Sequence, residues 1–201
     1  MPAPIKCFLI EGTARAQQFL RRYTSYKEGS CPVNGWGHEA KVRIEDGELV
    51  VNEDGTFKGG TTDEHPRSDP RWPTHCECGY EFTDEDTRQL FYERIYLRAD
   101  NGAETTLRDA PAGAMWYADW MCSGRVYKEP GHFIGPDGHC LMVQLPDGHE
   151  WCVDGPASNG PGWERTGTVP NITARPSIGR QDKQGGWLYH GWLTNGELTD
   201  A

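Results

Sequence analysis

Turn dipeptides punctuate this chain at short intervals. Asp46-Gly47, Asp54-Gly55, Asn101-Gly102, Pro146-Asp147-Gly148 and Asn195-Gly196 each supply the residue types that tight turns need. The 201 residues include 25 glycines and 14 prolines, which disfavours long helices and favours short strands joined by turns. Only 36% of the residues are hydrophobic, so the eight tryptophans have to supply much of the core.

Strands are expected at "IKCFLI" (5–10), on both sides of Asp46-Gly47 (38–57), around Asn101-Gly102 (94–109), at 139–145 and 149–155 around the Pro-Asp-Gly turn, at 171–178 and at 187–193. "AMWYADWM" (114–121) is the most aromatic stretch and is expected in the core. Two short helices are expected. One is at 14–26, where Ala, Gln, Leu and Arg favour it. The other runs from Thr83 to about Tyr92, with Thr83 as N-cap and Asp84, Glu85 and Asp86 in the first turn. Residues 58–75 and 155–170 read as loops. The expected fold is mainly β, with one or two short α-helices, loop-rich and clipped by zinc. A chain of this length suits a single domain over 1–201, with a zinc-clipped lobe at 1–110 and a β lobe at 111–201 as a candidate subdivision.

The formal net charge is −10, which repels phosphate backbones, and the one basic cluster, Arg15, Arg21 and Arg22, is small. No nucleic-acid partner is expected. The apolar run at the N-terminus is too short for an export signal or a membrane span, so a cytoplasmic location without membrane partners is expected. Seven cysteines cannot all pair, and thiols or metal ligands are expected before a disulfide framework.

"RWPTHCECGYEF" (71–82) holds Cys76 and Cys78 one residue apart, with Gly79 behind them. Zinc takes about four thiolate or imidazole ligands in a tetrahedron. "CPVNGWGH" (31–38) offers the other two, so Cys31, His38, Cys76 and Cys78 form a candidate structural Zn2+ site that would clip two loops together. His75 and His65 compete with His38 as donors. Two buried thiols are the plainer alternative. A second concentration lies at 132–154, with His132, Asp137, His139, Cys140, Asp147, His149, Cys152 and Asp154. Cys140 and Cys152 are expected on one face of the hairpin. With His190 and Asp154 they could assemble a thiol nucleophile, although no local cysteine-enzyme signature accompanies them. Ser177 and His190 share a region, but no Gly-x-Ser-x-Gly elbow is present, and no glycine-rich phosphate cradle occurs anywhere. The tryptophans could form a carbohydrate platform or a partner surface, with core duty as the plainer reading.

"RWPTHCECGYEF", "LRDAPAGAMWYADWM", "GPDGHCLMVQLPDGHEWCVDGPASN" and "YHGWLTNGEL", in this order, resemble a family found in actinobacteria and in their phages and prophages. The resemblance spans nearly the whole chain. It implies a genomic setting rather than a mechanism. Family members often have two residues between the cysteines where Cys76 and Cys78 have one, and some carry a longer glycine-rich insertion before the segment matching Ser177-Ile178.

The expected function is therefore a zinc-stabilised binding or structural protein of phage type. It would act without catalysis on a protein partner from the virion or the host, either in the host cytoplasm or within the particle. A thiol- or metal-dependent hydrolase built on 132–154 and His190 is the alternative. An acidic inhibitor of a host protein is a third reading.

Overall fold

The computed structural model describes residues 2–48, 65–121, 133–156 and 162–201. The chain divides into two compact units, one formed by residues 1–11 and 96–201 and the other by residues 12–95. Nearly all regular structure is β, and the described residues contain no α-helix, only a single 3-10 turn at Asp119–Met121.

In the first unit, five strands form an antiparallel sheet. Its order is β1 (Ile5–Lys6), β12 (Glu197–Asp200), β11 (Trp187–Thr194), β10 (Asn171–Gln181) and β9 (Glu164–Thr168). β11 shows why one face is core. Tyr189, Gly191 and Leu193 are buried, while Leu188, Trp192 and Thr194 point the other way and are exposed, as a period of two requires. The buried set joins Ile172, Ile178 and Leu198 in one core cluster.

That cluster is completed by Met115 of β6 (Ala114–Tyr117), Leu141 and Val143 of β7 (Leu141–Gln144) and Trp151 of β8 (Glu150–Cys152). β6 pairs antiparallel with β7, and β7 with β8 across the expected Pro-Asp-Gly turn. β6 also pairs in parallel with the start of β2 (Phe8–Tyr23), through Phe8 and Leu9. The alternate side chains Ala114, Trp116 and Met142 pack into a second cluster with Phe8 and Ile10. β6 and β7 are thus buried on both faces, which explains their unbroken apolar runs. The expected hairpin at Asn101-Gly102 joins the end of β4 (Thr87–Arg98) to β5 (Glu104–Thr105).

The second unit is built on β2 from Gly12, on β3 (Glu39–Glu48) and on β4 up to Ile95. β2 pairs antiparallel with β3, and β4 neighbours β2 on its other side. Ala16, Leu20, Trp72, Leu90 and Tyr92 make its core.

Both expected helices are strands. Residues 14–23 lie in β2, where Leu20 and Arg22 are buried and the intervening Arg21 is only partly covered. Arg21 lies 5.5 Å from the Phe91 ring centroid on β4, and the Lys41 ammonium on β3 lies 4.5 Å from that of Phe19. Sheet pairing and these cross-strand contacts outweigh a weak helix propensity. At Thr83 the cap chemistry builds a turn instead. Thr83 N–H donates to Asp86 Oδ2 at 2.7 Å, Asp86 N–H returns to Thr83 O at 3.1 Å, and β4 starts at Thr87. Asp46-Gly47, expected as a turn, lies inside β3 opposite Gln17 and Ala16. The expected turn at Asp54-Gly55 falls outside the described residues. Within the expected 155–170 loop, 164–168 form β9. Among the described residues, no helix is long and apolar enough to cross a membrane.

Candidate metal centre

Two short loops of the second unit converge. The first carries Cys31 and His38. Gly29 N–H donates to Gly35 O at 2.8 Å, Gly35 N–H to Cys31 O at 2.8 Å and Cys31 N–H to Trp36 O at 2.7 Å, which curls residues 29–36 into a tight loop. The second carries Cys76 and Cys78 in a small hairpin. His75 and Glu81 pair as an antiparallel bridge, and Phe82 N–H donates to Thr74 O at 2.9 Å. At its tip Cys76 N–H donates to Tyr80 O, and Gly79 N–H to Cys76 O, both at 2.9 Å. Gly79 has φ +90°, and a Cβ there would meet nothing within 4 Å. The dihedral, not the space, calls for glycine.

These loops bring together one ligand atom each from Cys31, His38, Cys76 and Cys78, all within 4.8 Å of one another. Cys31 Sγ lies 3.8 Å from Cys76 Sγ, and His38 Nδ1 lies 3.1 Å from Cys78 Sγ. Cys31 and Cys76 are buried, and His38 and Cys78 are partly covered. The cluster could hold a metal ion, with Cys76 and Cys78 as ligands rather than isolated thiols.

The surroundings orient and polarise the ligands. Asn34 donates twice, from its backbone N–H to Cys31 Sγ at 3.4 Å and from Nδ2 to Cys76 Sγ at 3.9 Å. The backbone hydrogen bond from Asn34 draws the Cys31 thiol below its ordinary pKa, toward the thiolate that binds metal. The His38 ring lies flat on Tyr80, with centroids 4.0 Å apart and planes 6° from parallel. His38 N–H donates to Thr24 Oγ1 at 3.0 Å, and Thr24 N–H donates to His38 O at 3.0 Å. Backbone and ring are therefore both held with Nδ1 toward the sulfurs. The hairpin is tied to β2 by buried Arg22, which donates to Pro73 O at 3.2 Å and also to Thr83 O, its guanidinium 5.4 Å from the Phe82 centroid.

The competing histidines are engaged elsewhere. His75 is exposed, with Nδ1 2.8 Å from Thr74 Oγ1 and Nε2 3.5 Å from Glu81. His65 Nε2 lies 2.5 Å from Asp69 Oδ2, and its ring meets Trp72 edge-on.

The 132–154 residues divide between a sulfur pair and an arginine that bridges two carboxylates. Cys140 and Cys152 do share a face, with sulfurs 3.6 Å apart. Asp154 accepts from Leu141 N–H at 2.8 Å and from Arg165 Nε at 2.7 Å, and Arg165 also donates to Asp137 at 3.0 Å. The Arg165 side chain is 2% exposed, so a buried guanidinium bridges buried Asp154 and the more exposed Asp137. Hydrogen bonding from Arg165 holds Asp137 below the usual carboxylate pKa. His139 faces Asp119 at 3.0 Å and the Tyr117 ring at 4.7 Å. Burial, helped by the Arg180 charge, pushes His149 below its ordinary pKa. His132 lies outside the described residues. His190 sits between two tryptophans, 4.7 Å from Trp187 and 5.8 Å from Trp192. Ser177 offers its carbonyl to Trp163 Nε1 at 3.3 Å. Neither Asn34 nor Arg165 was legible as a site residue, because a lone Asn or Arg carries no spacing signature. No protein-family model, curated protein or solved structure matches this chain.

Proposed function

We propose that this is a zinc-clipped β protein that works by binding, as a structural or accessory component of a phage particle, and catalyses no reaction. The observation that carries the reading is that Cys31, His38, Cys76 and Cys78 bring one ligand atom each within 4.8 Å of one another. With zinc bound, three sulfurs and one imidazole would fill a tetrahedral shell and leave no position for water or substrate. Soft thiolates with one imidazole favour zinc over magnesium or calcium. A zinc–sulfur bond of about 2.3 Å places tetrahedral sulfurs about 3.8 Å apart, and Cys31 and Cys76 stand at 3.8 Å. The resemblance to a family of phages and prophages supports the setting. Mass spectrometry of purified particles from a lysogen carrying this gene should find the protein in stoichiometric copies. Its absence from washed particles would remove the virion role.

The Cys140–Cys152 proximity favours a second reading, a thiol-dependent hydrolase. Under that reading Cys140→Ser or Cys152→Ser abolishes an activity while the fold survives. The bridging of Asp154 by Arg165 and the seating of His190 between tryptophans weigh against it.

A further inference from the structure

Several of the tryptophans are not in the core, and two of them meet on one strand. On the solvent face of β11, Trp187 is 59% and Trp192 43% exposed. His190 stands between them. Its ring stacks on Trp187, 16° from parallel, and meets Trp192 at a tilt of 38°, so the imidazole links the two indoles along the strand. Leaving two indoles this exposed forgoes part of the burial that large apolar side chains gain in a core.

Two local features shape this face. Gly179 of β10 pairs with His190, and a Cβ there would come within 3.0 Å of the Trp187 ring, so glycine is what seats that indole. Between Ala174 and Ile178 the β10–β11 register shifts. The irregular segment opens a groove of about 680 Å³ in which Trp192 is flanked by Glu164, Arg175, Ser177 and Thr194. At the other end Trp187 and His190 border a second groove, of about 440 Å³, with Asp147 and Asp200.

We propose that this face binds a neutral oligosaccharide, with sugar rings against Trp187 and Trp192. The apolar face of a pyranose suits an exposed indole, and its hydroxyls need donors and acceptors side by side. Glu164 accepts, Arg175 donates, and Ser177 and Thr194 do both. Carboxylates in both grooves and a net charge of −10 disfavour phosphorylated or acidic ligands. Arg175 disfavours a cation in the first groove, and stacked rings do not enclose one as an aromatic cage does. The inference rests on the reading of this protein as a binding component, and it supplies the class of ligand.

The test titrates the zinc-loaded full chain with neutral β-linked oligosaccharides of glucose, xylose and N-acetylglucosamine. Tryptophan fluorescence reports binding, and mass spectrometry reports whether the sugar stays intact. A saturable blue shift is expected with at least one of them. Trp187→Ala and Trp192→Ala should each weaken it about tenfold or more, a loss of roughly 1.4 kcal/mol. Trp192→Tyr, which keeps an aromatic face, should retain most of the affinity, with unchanged melting temperatures as the fold control. No saturable response up to about 10 mM, weaker than any specific site, overturns the proposal. So does wild-type affinity retained in both alanine variants. A proline-rich peptide bound in place of sugar, or self-association that buries Trp187 and Trp192, overturns it too. Binding with cleavage would leave the saccharide site standing and end the non-catalytic reading, so the two can fail separately.

Discussion

Cys31 shows how much a single residue's surroundings decide. It is buried, accepts from the Asn34 backbone N–H and faces Cys76 across 3.8 Å. Replacing any ligand strands the others. Cys76→Ser or Cys78→Ser should abolish metal binding and destabilise the second unit by about 4 kcal/mol or more, the range reached when a structural metal is lost. Urea unfolding of the two variants beside wild type checks this. Asp137 belongs to the same scale. Arg165 lowers its pKa, so its folded value lies below its unfolded value near 3.9. Its stabilisation is full above that unfolded value and is lost as pH falls through the folded one. Asp137→Asn should therefore flatten the acid limb of stability below about pH 4, read from urea midpoints as pH is lowered. An unchanged acid limb would mean that Arg165 does not favour the ionised carboxylate. That these four residues could gather into one cluster was legible in the sequence, because cysteine, histidine, proline and glycine at short spacing point to a candidate metal loop. Choosing His38 over His75 and His65 took the fold, since only geometry shows which imidazole is already engaged elsewhere.

At the scale of elements, the turns were more legible than the strands they join. Asn101-Gly102, Pro146-Asp147-Gly148 and Asn195-Gly196 all turn as expected, because their backbone needs are local. Asn195 and Gly196 have φ of 51° and 75°. Asp46-Gly47 does not turn, since pairing with β2 holds it in β3. The segments 14–23 and 87–92 have helix-forming compositions, but each finds cross-strand partners that no local window reveals. β9 was missed because "ERTGT" has one buried residue, Arg165, and that residue is charged. The knuckle hairpin makes its own prediction. Gly79→Ala would force a side chain to φ +90° and should cost about 1–2 kcal/mol. A Cβ there meets nothing within 4 Å, so zinc should still bind. Loss of zinc in that variant would mean that the loop tolerates no change of dihedral.

For the whole molecule, the acidic charge and the mainly β class follow from composition, whereas the division of the chain does not. The first unit is assembled from residues 1–11 and 96–201, so its sequence is interrupted by the second. The units differ in what holds them. Among the described residues, the first has two large apolar clusters, and the second has one cluster of five buried residues and the thiol cluster. A chelator should therefore raise amide exchange within residues 12–95 and leave β10 and β11 protected. Uniform loss of protection would mean that the metal supports the entire chain. Metal content by native mass spectrometry, on protein purified without chelator and on Cys78→Ser, tests the central claim most directly. One zinc per chain is expected, lost in the variant together with thermal stability. A wild type that is metal-free and equally stable would contradict it, leaving Cys31, Cys76 and Cys78 as ordinary thiols.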